Sequence, residues 1–547
     1  MKGVFTVTVL DEPRAHAGDI HGAFGTIRLG DTTARSSFSA RLKTLLAVVG
    51  PGLIVMIGDN DAGAFSTYGQ AGQDYGTKLL WTLLLLVPVI YVNQEMVLRL
   101  GAVTGAGHAR LILARFGKFW GAFEIGGLFL LNALTIVTEF IGITLAAGYL
   151  GVPKLIAVLL AAAVIISTAF TGSFRRFERV AMTLCAGSLL LLPLYLLSHP
   201  SGARMAAGFA VPELPGTGPG GMAAVMLLVI GIVGTTIAPW QLFFQQSYVI
   251  DKRITPRFIR YEKADLWIGI VIVVLGAAAI MGAVAAAVAG TGRYGHFTDA
   301  AGISHAIAAH SGQVAGALFA IALLDASIIG AFAVSLATAY AVSDVTGMNH
   351  SLHGGVGHAK GFYALYAALI GGAAAIVLIP RSPLGLITEG VQVLCGMLLP
   401  VATVFLLLLC NDRAVLGPWA NGRKTNVFTG AVIALLIILS VVLTASVLFP
   451  GITAAQIEMI MAGCALGAAA TGAVLLTRNH RRNAPVVPAP VIPHSAAEKL
   501  AWRMPPVADL PAPVISGGRK WGLMALQAYL ALAMVGVIVK IVFLAIH

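Results

Sequence analysis

Leu53-Ile54-Val55-Met56-Ile57-Gly58-Asp59-Asn60-Asp61-Ala62-Gly63-Ala64 is an apolar run that stops at three polar side chains and resumes through small residues. A charge at the centre of a bilayer costs at least about 2.5–3.5 kcal/mol even on insertion scales. The glycines on either side permit an unwound backbone, whose freed carbonyls are tolerated at membrane depth only around a cavity or inside protein. Carboxylates together with free carbonyls make a site for a hard cation. The other reading of this stretch is that Asp59 and Asp61 lie near a membrane surface and only cap a helix.

The surrounding chain sets that stretch in a membrane. Of 547 residues, 58% are hydrophobic and 11% charged, against about 25% charged in a soluble protein. Apolar runs long enough to cross roughly 30 Å of hydrocarbon recur over 43–68, 78–100, 119–149, 154–171, 179–198, 221–248, 265–289, 313–344, 360–380, 385–410, 426–449, 457–477 and 521–545. These features exclude a soluble enzyme and a disordered chain, and predict an all-α polytopic membrane protein of about 13 helices. Glycine, at 63 residues, suits close helix packing and broken helices. The four cysteines fall in apolar segments and show no pairing pattern.

The net charge of +12 is mostly topology. With the N-terminus in the cytoplasm, 29 of the 35 Lys and Arg fall in loops on that side, five fall opposite, and Lys540 lies in the last helix. Every loop then obeys the positive-inside rule, so the charge is no nucleic-acid footprint. The chain is expected in the cell (inner) membrane with a cytoplasmic N-terminus and with the lipid bilayer as its surroundings. Residues 1–42 contain no apolar stretch of the signal-peptide kind, so the first membrane helix is expected to direct its own insertion. Residues 478–520 hold eight of the 24 prolines and read as an extended, disordered cytoplasmic linker before the helix of 521–547.

A second interruption falls five helices after the first. Met222–Gly234 is apolar and is followed by Thr235-Thr236-Ile237-Ala238-Pro239-Trp240-Gln241. Pro239 removes a backbone donor and clashes with the preceding turn; taken alone it could be an ordinary kink. Two interrupted helices in matching positions of two halves point to an inverted-repeat transporter, with halves at 43–198 and 221–410 and accessory helices at 426–477. Glu139, Asp325, Glu389 and Gln392 are further intramembrane polar residues, each a pathway candidate or an interhelical contact. Glu95 and Arg99, four residues apart, read as a structural pair. No histidine lies well inside an apolar segment, and His350, His353 and His358 cluster in one cytoplasmic loop that reads as solvated and flexible, the other reading being a weak metal site.

Over roughly residues 43–420 the chain resembles the NRAMP family of divalent-metal transporters. The resemblance rests on Gly50-Pro51-Gly52, on Lys78-Leu79-Leu80-Trp81, on Gln94-Glu95, on Arg99-Leu100-Gly101 with Val103-Thr104-Gly105, and on Gln392 eight residues before Pro400 with Asn411-Asp412-Arg413 following. It implies a leucine-transporter-like core of five plus five helices, with an ion site between the two broken ones and alternating access. Three motifs depart from the family. D-P-G-N reads Asp61-Ala62-Gly63-Ala64, M-P-H reads Ala238-Pro239-Trp240, and D-L-A-E reads Ile136-Val137-Thr138-Glu139.

A thioether favours transition metals over alkaline earths, so its loss with retained oxygen donors suits a hard ion. The pattern resembles the NRAMP-related magnesium transporters, although the asparagine ligand is replaced by Ala64. The loss of the family's histidine and aspartate leaves proton coupling doubtful, so H+ is an optional second ion. The resemblance implies transport of Mg2+ or Mn2+, with Fe2+ also admissible, and neither an enzyme nor a resident cofactor. Asp61 is the central expected ligand, with Asp59, Asn60 and Gln392 beside it and backbone carbonyls near Gly58 and Ala238; Trp240, Gln241, Asp325 and Glu139 are expected along the pathway. The competing reading is a carrier of a small organic solute, such as an amino acid, on the same scaffold, and two acids at the first break would repel its carboxylate. A non-transporting sensor would need a soluble domain that neither 1–42 nor 478–520 supplies.

Overall fold

The computed structural model describes residues 18–215, 221–379, 384–449, 452–481, 495–511 and 517–546. Outside them lie residues 1–17 of the expected N-terminal segment, Arg381, and 482–494 and 512–516 of the expected linker; nothing is described of the Glu389 and Lys540 side chains.

A two-residue turn joins the antiparallel strands β1 (Ile20–Gly22) and β2 (Gly25–Ile27). Helix α1 (Phe38–Val48) starts on the Ser37 hydroxyl, which accepts from the Ala40 N–H. α2 (Pro51–Gly58) follows at a bend of 53°. Gly50, at φ 151°, makes that bend in a region of backbone space that L side chains rarely adopt, and Pro51 then opens α2 where no donor is needed. α2 ends at Gly58, and α3 (Ala62–Tyr75) begins only after Asp61. The first expected helix, 43–68, is therefore three helices. The cause is local: a left-handed glycine with proline at one joint, and an aspartate cap at the other.

The chain continues through α4 (Trp81–Thr104), α5 (His108–Phe116), α6 (Lys118–Tyr149), α7 (Lys154–Ala169), α8 (Phe174–Cys185), a 3-10 turn over Ala186–Leu190, α9 (Leu191–Ser198) and α10 (Gly202–Ala210). α11 (Gly221–Thr236) and α12 (Pro239–Asp251) are the halves of the second broken helix. Then come α13 (Ile259–Val288), α14 (Ala300–Ser311), α15 (Gln313–Thr346), α16 (Lys360–Val377), α17 (Leu384–Asn411), α18 (Arg413–Leu416), α19 (Arg423–Leu448), α20 (Ala454–Arg481), α21 (Ala496–Ala501) and α22 (Gly517–Ile546).

All thirteen expected apolar stretches are helical. Among the described residues ten helices are long and apolar enough to cross a membrane, or eleven if the bent α1–α2 pair is one span; α7 is apolar but shorter. α6 packs on α15, α13 on both α2 and α3, and α11 on α17. The large side chains that fill the interior include Trp240, Tyr68, Tyr248 and Phe244, all on halves of the two broken helices. Leu159, Leu160, Leu192 and Leu275 are more than half exposed on the outside, where hydrocarbon solvates them.

Two expectations about surface segments are corrected. Residues 495–511 of the expected disordered linker form a docked strap. The Lys499 ammonium sits 4.6 Å from the Trp419 ring centre, the Trp419 indole donates to the Lys499 carbonyl (2.9 Å), and Arg115 donates to the Pro511 carbonyl (2.6 Å). Aromatic and cationic anchors outweigh the prolines that suggested an unfolded tether. The histidine loop is also fastened rather than loose. Asp251, the last residue of α12, accepts from Tyr340 (2.6 Å), Ser351 (2.5 Å) and the Leu352 N–H (2.8 Å), and His353 stacks on Phe174 at 4.9 Å.

Candidate functional site

The site grows from the end of α2. Gly58 closes that helix, and Asp59, Asn60 and Asp61 span the gap with all three side chains buried. Asp61 becomes the N-cap of α3, its Oδ1 accepting from the Ala64 N–H at 2.9 Å. The four leading N–H groups of a helix lack intrahelical partners, so the break supplies Asp61 with a local donor that Ala64 gives as well as any residue would. Asn60 turns the other way, its amide donating to the Val273 carbonyl of α13 at 3.3 Å. Asp59 accepts from the Gln241 amide of α12, and Gln241 in turn accepts from Gln94 of α4 at 2.8 Å. The two broken helices are thus joined side chain to side chain.

Glu139 of α6 completes the cluster. Its Oε2 accepts from the Ala62 N–H at 3.1 Å, and its carboxyl lies against that of Asp61. Gly330 of α15 leaves room for both groups: a Cβ there would stand 2.7 Å from the Glu139 carboxyl and 3.0 Å from the Asp61 Cβ. Gln392 of α17 lies flat against Gly63. Trp240, in the first turn of α12, is fully buried, and its ring reaches to 3.6 Å from where a Cβ on Gly58 would be. Ala238 occupies the second break, its carbonyl accepting from the Gln241 N–H at 3.2 Å.

Asp59, Asn60, Asp61, Gln392, Gly58, Trp240, Gln241 and Glu139 therefore share one neighbourhood, with Ala238 beside Trp240. Asp325 does not join them; it lies on the face of α15 that meets Gly187 in the 3-10 turn after α8. Asp59 Oδ2, Asn60 Oδ1, Glu139 Oε1 and Gln94 Oε1 are buried acceptors with no hydrogen-bond partner among the described residues. Buried acceptors left unmade are costly, and four of them around one break form an electronegative cluster suited to a cation. Among the described residues no group of three or more His, Cys, Asp or Glu is arranged to hold a metal. The donors are two or three carboxylates diluted with amides and carbonyls, a set that can hold a cation and also release it.

Sequence reasoning missed several participants. Gln94, in sequence only part of a motif, anchors Gln241. Tyr68 of α3 and Thr236 of α11 link one half of each broken helix through their hydroxyls at 2.7 Å. His108 is buried at the start of α5 and bonds Gln246 at 2.9 Å. Burial pushes its imidazole down to about 4, so it is neutral at physiological pH. The available signal was the run of amides on α12, Gln241, Gln245 and Gln246, too polar for a helix that faces lipid.

A charged clamp holds the α1–α2 joint. Asp265 Oδ2 accepts from the N–H groups of Gly50 (3.1 Å), Gly52 (2.7 Å) and Leu53 (3.3 Å), which open α2. Lys252 donates to the Val49 carbonyl (2.8 Å) and to Glu178 (2.6 Å), and Glu178 accepts the Ala23 N–H of the hairpin turn (2.5 Å). Lys252 and Glu178 are fully buried; removing one partner of such a pair strands the other.

The family model described as Natural resistance-associated macrophage protein-like (Nramp) matches residues 52–446. The divalent metal cation transporter MntH of Ralstonia nicotianae is 29% identical over 401 residues, covering 70% of this chain and 87% of that protein. Its namesake in Chromohalobacter salexigens is 28% identical over 412 residues, covering 72% and 89%. Among solved structures, a manganese transporter of Eremococcus coleocola, in complex with an aromatic bis-isothiourea substituted compound, superposes with a TM-score of 0.62 at 19% identity, covering 82% of this chain and 96% of that one. At that identity the likeness is one of fold, and it is the leucine-transporter-like fold with added C-terminal helices.

Proposed function

The chain belongs to the Nramp family, and on that premise we propose that it carries a divalent metal cation across the cell (inner) membrane by alternating access, with Mg2+ or Mn2+ as substrate. The observation that supports this reading most is the cluster at the first break, where Asp59, Asp61 and Glu139 are buried together beside acceptors that lack partners. Like charges in a dry pocket repel, and one divalent cation satisfies them together. Asp61 is the central ligand, placed by its cap on α3, with Asp59 Oδ2 and Asn60 Oδ1 as further donors and Gln392 across the pocket.

The donor chemistry supports a hard ion. Mg2+ keeps several waters and needs only one or two carboxylates, and no thioether stands at Ala238. Both relatives described above are named divalent metal cation transporters, and the structural neighbour is named a manganese transporter. Membrane potential alone supplies about 2.3 kcal/mol per charge per 100 mV, roughly twice that for a divalent ion, so uptake needs no proton. The test is Mg2+ and Mn2+ flux into proteoliposomes at a set potential, with internal pH recorded. Asp61→Ala is expected to reduce flux to that of empty vesicles, with no acidification in the wild type. Undiminished flux in the variant overturns the site, and stoichiometric acidification overturns the uncoupled mode.

A further inference from the structure

A groove of about 860 Å3 lies between the hairpin and α8, and no residue of the two breaks lines it. Its walls include Phe24 and Thr26 from the hairpin and Arg175, Arg179, Met182 and Ala186 from α8 and the turn that follows. The α8 residues sit at spacings of four, three and four, so they form one stripe of a helix. Two guanidiniums stand at one end of that stripe and apolar side chains at the other. At 1.5 Å per residue the stripe is about 16 Å long, enough to run from headgroup level into hydrocarbon.

The groove is built rather than incidental. Arg175 donates to the Gly25 carbonyl (3.4 Å) and to the Thr26 hydroxyl, and Arg179 donates to the Ala23 carbonyl (3.1 Å). The hairpin is fixed as a wall, because the Ala23 N–H is tied to buried Glu178. Neither arginine forms an ion pair among the described residues, and the lining contains no carboxylate. Glu178, the acid in the same turn, lies beside the stripe and is taken by Lys252 and by the Ala23 N–H. Arg175 Nε has no partner among the described residues, and Arg179 is exposed. Val180 and Leu189, beside the groove in sequence, are exposed, and α8 begins a membrane-crossing span.

We propose that this groove binds one anionic phospholipid of the leaflet on the basic side of the protein. Its phosphate pairs with Arg175 and Arg179, and an acyl chain runs along Met182 and Ala186. Two unpaired guanidiniums attract the phosphate, and the change from charged to apolar along one stripe selects a lipid over a soluble anion. Basic pockets beside helices on the cytoplasmic side are a recurring lipid-recognition arrangement.

The test is lipid retention by the purified full-length chain during stepwise delipidation, read by native mass spectrometry in matched phosphatidylglycerol and phosphatidylcholine. One phosphatidylglycerol is expected to outlast the rest, and Arg175→Ala/Arg179→Ala to lower its retention by about ten- to thirtyfold. Lys424→Ala, on the same basic side, is the charge control and is expected to change nothing. Met182→Trp fills the apolar end without touching the arginines and is expected to weaken retention several-fold, which keeps the test sound if the double variant misfolds. Equal retention of the two lipids, or no loss in the Met182 variant, overturns the proposal. Displacement of the lipid by millimolar inorganic phosphate also overturns it, since the site would then recognise phosphate alone.

Discussion

At Gly330 a single missing methyl decides whether two carboxyls can meet. Gly330→Ala would press a Cβ to 2.7 Å from the Glu139 carboxyl, and overpacking of this kind costs roughly 1–3 kcal/mol. The expected outcome is normal expression and thermal stability within a few degrees, with metal flux down roughly tenfold or more. Proteoliposome flux beside a melting curve checks it; full flux would mean that the Glu139–Asp61 contact is dispensable. Residues of the break were legible because charge in an apolar run is conspicuous, and Asp59, Asn60 and Asp61 needed no structure to be noticed. Gly330 was not, because a glycine in a glycine-rich helix looks like any other until its neighbour is known. Asp325 shows the opposite limit. It is as conspicuous as Glu139, but helical phase on α15 turns it toward Gly187.

Among the elements, the loop of 347–359 carries a pH dependence of its own. Burial opposes charge on His350, but the Asp344 carboxylate at 3.1 Å and the Met348 carbonyl at 2.9 Å outweigh it and hold the imidazole up at about 9. A raised folded value means that the pair contributes fully below the free imidazole value of about 6.5, and that this contribution is lost as pH rises through about 9. Asp344→Asn is expected to lower the melting temperature at neutral pH, with the gap from wild type closing above about pH 9. A gap that stays constant across that range would show that the ion pair does not fasten the loop. Helices were legible as elements because thirteen apolar stretches can hardly be anything else in a bilayer. The fastening of this loop was not, since Asp251, Ser351 and His353 are ordinary polar residues until α12 brings its C-terminus beneath them.

For the whole molecule the sequence speaks most clearly about orientation, since 29 of 35 basic residues fall on one side of the expected topology. A single cysteine introduced at Gly355 in a background free of the four native cysteines is expected to react with an impermeant reagent only from the cytoplasmic side, and one at His296 only from outside. The reverse pattern would invert the topology. Packing across the bundle is where sequence reading stopped: composition gave no hint that Trp419 and Arg115 would receive the strap of 495–511. The hairpin of 20–27 adds a consequence for biosynthesis. It leaves the ribosome before its partners: the Ala23 N–H waits for Glu178, 155 residues later, and the carbonyl of Thr33, just beyond the hairpin, waits for Arg257, 224 residues later. At about 5–20 residues per second the first of these partners trails by roughly 10–30 s. During that interval the amino-terminal piece has only α1 to pack on, so the arrival of the first turns of α8 and of residues 256–258 ahead of α13 also sets when the hairpin region can finish folding.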